Sequence, residues 1–153
     1  MSSANYRTFS SYYFEEAFRN TDVLIERATR KLQDVPFDTL VGTGVSGTIF
    51  VPILARALDK HWMIVRKEWS EHAKSMLEGE LGCRWLFCDD FIDTGATLKR
   101  VRQTIKDYNP CWHTVFGGSY LYRDNSFKPA RKPHTQVEQG SDATASPLTL
   151  LDD

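Results

Sequence analysis

An α/β domain with a doubly wound, mostly parallel sheet flanked by helices is the fold this sequence predicts, on three observations. Short apolar runs of strand length recur along the chain at Thr39–Val41, Trp62–Val65, Trp85–Cys88 and Trp112–Tyr122. Segments with helical apolar spacing lie between several of them. Two of the runs lead through glycine-bearing turns, 42–47 and 94–97, into such a segment, which is the strand–turn–helix unit of parallel sheets.

Length and composition suit one such unit. A chain of 153 residues, 41% apolar with four tryptophans, buries roughly two-thirds of its unfolded surface without covalent staples. Its net charge of −1 provides no electrostatic case for nucleic acid or an acidic membrane as partner. Cys83, Cys88 and Cys111 make an odd set without C-x-x-C spacing, which fits reduced thiols in the cytoplasm better than disulfides or zinc. No N-terminal apolar stretch has the length of a signal peptide or a membrane span. The expectation is a soluble cytoplasmic protein with a folded unit over 1–123 and an irregular segment over 124–153.

In chain order, residues 1–20 are rich in rings (Tyr6, Phe9, Tyr12, Tyr13, Phe14, Phe18) and read as a helix or arm packed on the core. Thr21 reads as an N-cap, and Leu24, Ile25, Ala28 and Leu32 put one apolar stripe on a surface helix over 22–33. Thr39–Val41 then enters the turn Gly42-Thr43-Gly44-Val45-Ser46-Gly47, where glycine permits positive φ and close backbone approach. The glycine spacing matches a dinucleotide fingerprint, but the acid expected at the end of the next strand is missing. Ile49–Leu58 reads as a buried helix that starts or bends at Pro52. Trp62–Val65 ends in Arg66-Lys67, and the polar stretch 68–83 is either a loop or, over 73–80, a short helical turn.

The most informative stretch is Arg84–Arg100. An apolar strand runs into Asp89 and Asp90, then Phe91-Ile92, then Asp93 and the turn Thr94-Gly95-Ala96-Thr97. Leu98, Val101, Ile105 and Tyr108 follow at helical spacing, with Lys99, Arg100, Arg102 and Lys106 on the opposite face. Unpaired first-turn N–H groups at 95–97 suit a phosphate. The adjacent carboxylates suit Mg²⁺ or a vicinal diol. Three carboxylates within five residues repel one another, so helix capping alone accounts for them poorly. A phosphorylated sugar fits the set.

CDDFIDTGAT resembles the phosphoribosyl-pyrophosphate (PRPP) motif of the type I phosphoribosyltransferases, and the resemblance extends over about residues 38–123. It implies transfer of the phosphoribosyl group from Mg²⁺-bound PRPP to a nucleobase, with pyrophosphate released, in a homodimer. By the same resemblance Asp89 and Asp90 hold the ribose hydroxyls, directly or through the metal, and Thr94, Gly95, Ala96 and Thr97 hold the 5′-phosphate. Thr43, Gly44, Val45, Ser46 and Gly47, with Lys67, would take the pyrophosphate. Relatives commonly have a cation in that turn, and here there is none. A mobile loop would contribute His72 and Lys74, and Arg123 would meet the base. Asp93 matches the residue that exchanges a proton with purine N7 in 6-oxopurine enzymes, which points to hypoxanthine, guanine or xanthine. It also reads as a cap for a helix starting at Thr94. A PRPP-sensing regulator without turnover is the alternative on the same fold.

Overall fold

The computed structural model describes residues 7, 19–69, 71–72, 75–108 and 113–131. The aromatic arm, Lys74, Cys111 and the chain beyond 131 lie outside the described residues. Helix α1 (Thr21–Leu32) precedes β1 (Thr39–Thr43), α2 (Gly44–Leu58) and β2 (His61–Val65). A short β3 (Leu77–Gly79), β4 (Arg84–Asp89), α3 (Ala96–Tyr108), β5 (Val115–Leu121) and β6 (Ser126–Pro129) complete it.

The six strands form one sheet in the order β3-β2-β1-β4-β5-β6. β1 pairs in parallel with both β2 and β4, and β4 in parallel with β5, while β3 and β6 add antiparallel edges. The expected doubly wound, mostly parallel sheet is therefore the one observed. Successive strand residues face opposite sides, and the sequence uses this consistently. Leu40, Leu86, Cys88, Tyr120 and Tyr122 pack under α1 and α2 with Leu24, Ala28, Phe50 and Leu54. Their neighbours Val41, Trp85 and Phe87 pack on the other side with Met63, Val65 and the α3 residues Leu98, Val101 and Ile105.

Four local expectations are corrected. The segment after 123 is not irregular at its start: residues 126–129 pair with β5, because the turn through Asn125 (φ 57°) returns the chain as a hairpin. The polar stretch after 68 contributes β3 rather than a helical turn, with Arg66 Nη2 bridged to Glu78 Oε1 at 2.9 Å across the pair. Asn20, not Thr21, occupies the N-cap position of α1. Helix α2 does not start at Pro52; it begins at Gly44 and runs through the proline. That position leaves the Thr48 carbonyl without its helical donor.

The early start of α2 matters for the site. What reads as a glycine loop is the end of β1 followed at once by the first helical turn. Gly42 permits this junction: a Cβ there would stand 2.6 Å from Val51 Cγ2 and 3.2 Å from Gly47 Cα. Strand and helix thus meet backbone to backbone.

Candidate active site

Parallel strands that share a direction bring their carboxyl ends to one edge of the sheet, and here those ends carry polar residues. β1 delivers Thr43, β2 is followed by Arg66 and Lys67, and β4 ends at Asp89 with Asp90 just beyond. A cavity of about 180 Å³ opens at this edge, lined by Thr43–Ser46, Lys67 and the unbroken run from Asp89 to Thr97. Nearly all of the residues singled out in the sequence as ligand groups therefore face one space. Gly47 does not: it is buried against Gly42. Arg123 lies beside the cavity, with its guanidinium carbon 5.7 Å from the centroid of the Phe91 ring. His72 is exposed and outside the lining.

Neighbouring residues within a strand cannot both face one ligand. Asp89 and Asp90 escape that restriction because β4 stops between them. Asp89 Oδ1 accepts from the Asp90 N–H at 2.9 Å, and Asp90 Oδ1 accepts from the Phe91 N–H at 2.8 Å. Asp90 Oδ2 is buried with no hydrogen-bond partner. A buried, unpartnered carboxylate oxygen is costly, so this atom is suited to a hydroxyl or a cation. Burial, reinforced by the Asp90 charge, pushes the Asp89 carboxyl up to about 7, with the Lys67 ammonium opposing. Lys67 reaches over Gly44, its Cε and Nζ 3.2 and 3.4 Å from the position of a Cβ there.

The turn after Asp93 is largely exposed, and one of the three N–H groups expected to be unpaired there, that of Ala96, is engaged within the turn. Gly95 has φ +85°, and a Cβ on it would meet no protein atom within 4 Å. Thr94 Oγ1 accepts from the Ala96 N–H at 3.2 Å, so Thr94 rather than Asp93 serves the helix start, which lies at Ala96. The Asp93 side chain is exposed and makes no hydrogen bond or ion pair among the described residues. The open space at Gly95 makes a specific test. Gly95→Val, strained by about 1–2 kcal/mol at positive φ, should stay folded and lose most of its affinity for a sugar phosphate. Unchanged affinity by titration calorimetry would remove the turn as a phosphate site.

One site-edge residue was missed from the sequence. The pattern puts Arg100 on the polar face of α3, yet it is half-buried and reaches to the ends of β1 and β2. No local signal marks it: its spacing groups it with Lys99 and Arg102 on the polar face of α3, and only contact with the ends of β1 and β2 brings it inward.

No family model matches the chain. It is 29% identical over 117 residues to a xanthine-guanine phosphoribosyltransferase of Nitratidesulfovibrio vulgaris strain DP4, covering 70% of this chain and 69% of the relative. Among solved structures it superposes on orotate phosphoribosyltransferase from Aeropyrum pernix with a TM-score of 0.55 at 15% identity, covering 74% of this chain and 64% of that one. Adenine phosphoribosyltransferase from Rhodothermus marinus DSM 4252 gives 0.52 at 22% identity, covering 65% and 64%. The chain thus spans just under two-thirds of the length of these two solved enzymes. Its fold is that of the type I phosphoribosyltransferases. In sequence it is similar to the xanthine-guanine branch of them.

Proposed function

We propose that this chain transfers the phosphoribosyl group of PRPP to a purine base, with release of pyrophosphate. The observation that carries the reading is the single cavity shared by the 94–97 turn, the Asp89–Asp90 pair and the Thr43–Ser46/Lys67 edge. These are three different chemistries, suited in turn to a phosphate, a diol and a diphosphate, in one small space. The backbone donors of the 94–97 turn bind the 5′-phosphate, and the two carboxylates take the ribose hydroxyls. Lys67 and the first turn of α2 bind the pyrophosphate, whose departure leaves an electron-poor ribosyl carbon that the carboxylates stabilise.

Asp93, unengaged by the fold, exchanges a proton with the purine ring nitrogen, and the similarity to a xanthine-guanine enzyme supports a 6-oxopurine. Arg123, whose guanidinium lies over the Phe91 ring at the cavity edge, is the candidate to meet the base, whereas His72 lies outside the cavity lining.

Magnesium fits the donor set. Among the described residues no group of three or more ligating side chains exists, and Mg²⁺ in phosphate enzymes is bound by one or two carboxylates completed by substrate and water. Asp89 and Asp90, with the unpartnered Oδ2 of the latter, supply that number. When bound, the ion neutralises charge on the departing pyrophosphate.

A small-molecule partner rather than nucleic acid agrees with the net charge of −1. A cytoplasmic location agrees with the free Cys83 and Cys88. A homodimer is supported by Val45, Ile49 and Ile53, exposed at 64%, 42% and 44% along one face of α2.

The missing cation in the 42–47 turn favours a second reading, a PRPP-binding regulator without turnover. Two measurements decide. PRPP with Mg²⁺ at a hundredfold excess over its dissociation constant should stabilise the fold by about 2.7 kcal/mol, raising Tm by roughly 5–10 °C. No shift at millimolar ligand would remove both readings. Pyrophosphate release with guanine, xanthine or hypoxanthine identifies the enzyme; a shift without release from any base identifies the regulator.

A further inference from the structure

Arg100 joins three elements, α3, β1 and β2, at the edge of the site. Its Nη1 donates to the Arg66 carbonyl oxygen at 3.1 Å and its Nη2 to Thr43 Oγ1 at 2.9 Å. Thr43 Oγ1 in turn donates to the Val65 carbonyl at 2.6 Å. One guanidinium, carried on the helix that starts at the 94–97 turn, therefore ties the last residue of β1 to the end of β2. Its two partners directly precede lining groups of the cavity, Thr43 before Gly44 and Arg66 before Lys67.

The charge of Arg100 is as informative as its geometry. Both acceptors are neutral oxygens, and no ion pair engages Arg100 among the described residues. A guanidinium cannot be deprotonated in a protein, so Arg100 keeps a full positive charge at this edge. A neutral donor would be enough if bracing two oxygens were the whole task. Instead a full positive charge sits beside Thr43–Gly44, in the turn that carries no cation of its own.

We propose that Arg100 is a positioning residue for the diphosphate half of the site. It sets Gly44 and Lys67 at their separation and supplies, from α3, the fixed positive charge that the 42–47 turn lacks. The proposal rests on the phosphoribosyl-transfer reading above. It also explains how the sugar-phosphate turn and the diphosphate edge are held in register, since Arg100 rises from the helix that begins at the former and ends on the latter.

The test separates the two anions. Calorimetric titration of Arg100→Met with pyrophosphate in Mg²⁺ should show affinity lowered by about tenfold or more. Ribose 5-phosphate, which reports on the 94–97 turn and the Asp89–Asp90 pair but not on the diphosphate edge, should change by less than about twofold. In turnover, KM for PRPP should rise more than kcat falls, and Arg100→Lys should recover part of the loss because it keeps the charge without the two-pronged bridge. Equal losses for both anions would make Arg100 a structural brace and overturn the proposal; so would no loss for either. A wild type that binds neither anion would overturn the phosphoribosyl-transfer reading and this proposal together. If the methionine variant does not fold, Arg100→Lys gives the same comparison: pyrophosphate must suffer more than ribose 5-phosphate.

Discussion

Asp93→Asn is expected to lower turnover with the correct purine by about 10²–10⁴-fold, the usual contribution of a general acid–base group, while PRPP affinity holds. The fold should not notice the change. Asp93 is exposed, makes no hydrogen bond or ion pair among the described residues, and does not serve the α3 start, which Thr94 does. Asparagine preserves size and removes a negative charge near the phosphate turn, so PRPP binding should stay level or improve slightly. What it lacks is a transferable proton. Steady-state pyrophosphate release, paired with calorimetric PRPP titration, separates the two effects. A variant turning over at the wild-type rate would leave Asp93 without a chemical role and withdraw the 6-oxopurine assignment.

Asp89→Asn should do two opposite things: weaken PRPP with Mg²⁺ by roughly a hundredfold, as loss of a charged ligand does, and stabilise the empty protein. The second effect follows from the carboxyl held at about 7 in the fold, against about 3.9 in an unfolded chain. Below pH 4 both states keep the proton, and Asp89 has no influence on stability. Between pH 4 and 7 the unfolded chain releases it while the fold retains it, so stability falls as pH rises through that window. At pH 8 the accumulated cost is on the order of 4 kcal/mol, which an amide avoids. The variant should therefore melt several degrees above wild type at pH 8 and level with it at pH 4. An equal Tm difference at both pH values would show that the gain has nothing to do with ionisation. The same titration makes metal binding by the wild type tighten toward pH 7, since the ligand form is the carboxylate.

The parts of this fold legible in the sequence are those where local pattern and global position agree. Trp85–Cys88 is apolar throughout because both faces of β4 are covered, and the acids that follow are intelligible only at a strand end. The edges were less legible. β3 has three residues and β6 four, too few for a period to be read, and the pairing of each comes from its neighbour rather than from its own composition. The start of α2 was hidden for another reason: glycines that suggest a loop serve here to let a helix touch a strand. Within the site, the lining residues were readable from type and order. Arg100 was not, because helical spacing assigns a long basic side chain to solvent, and only the crossing of α3 over the ends of β1 and β2 turns it inward.

The antiparallel edges have a consequence for life in a crowded solution. A parallel sheet ending at β2 would offer Met63–Val65, an apolar strand with unpaired backbone groups, as a template for another chain. β3 covers that row with three residues, one of them a glycine at φ +122° that no side chain tolerates well. On the far side β6 ends in exposed Lys128 and Pro129, a charge and a residue without an N–H. Each border is thus too short or too ill-suited to continue into a neighbouring molecule. A highly apolar set of central strands is therefore compatible with a sheet whose described edges are poor templates for a neighbouring molecule.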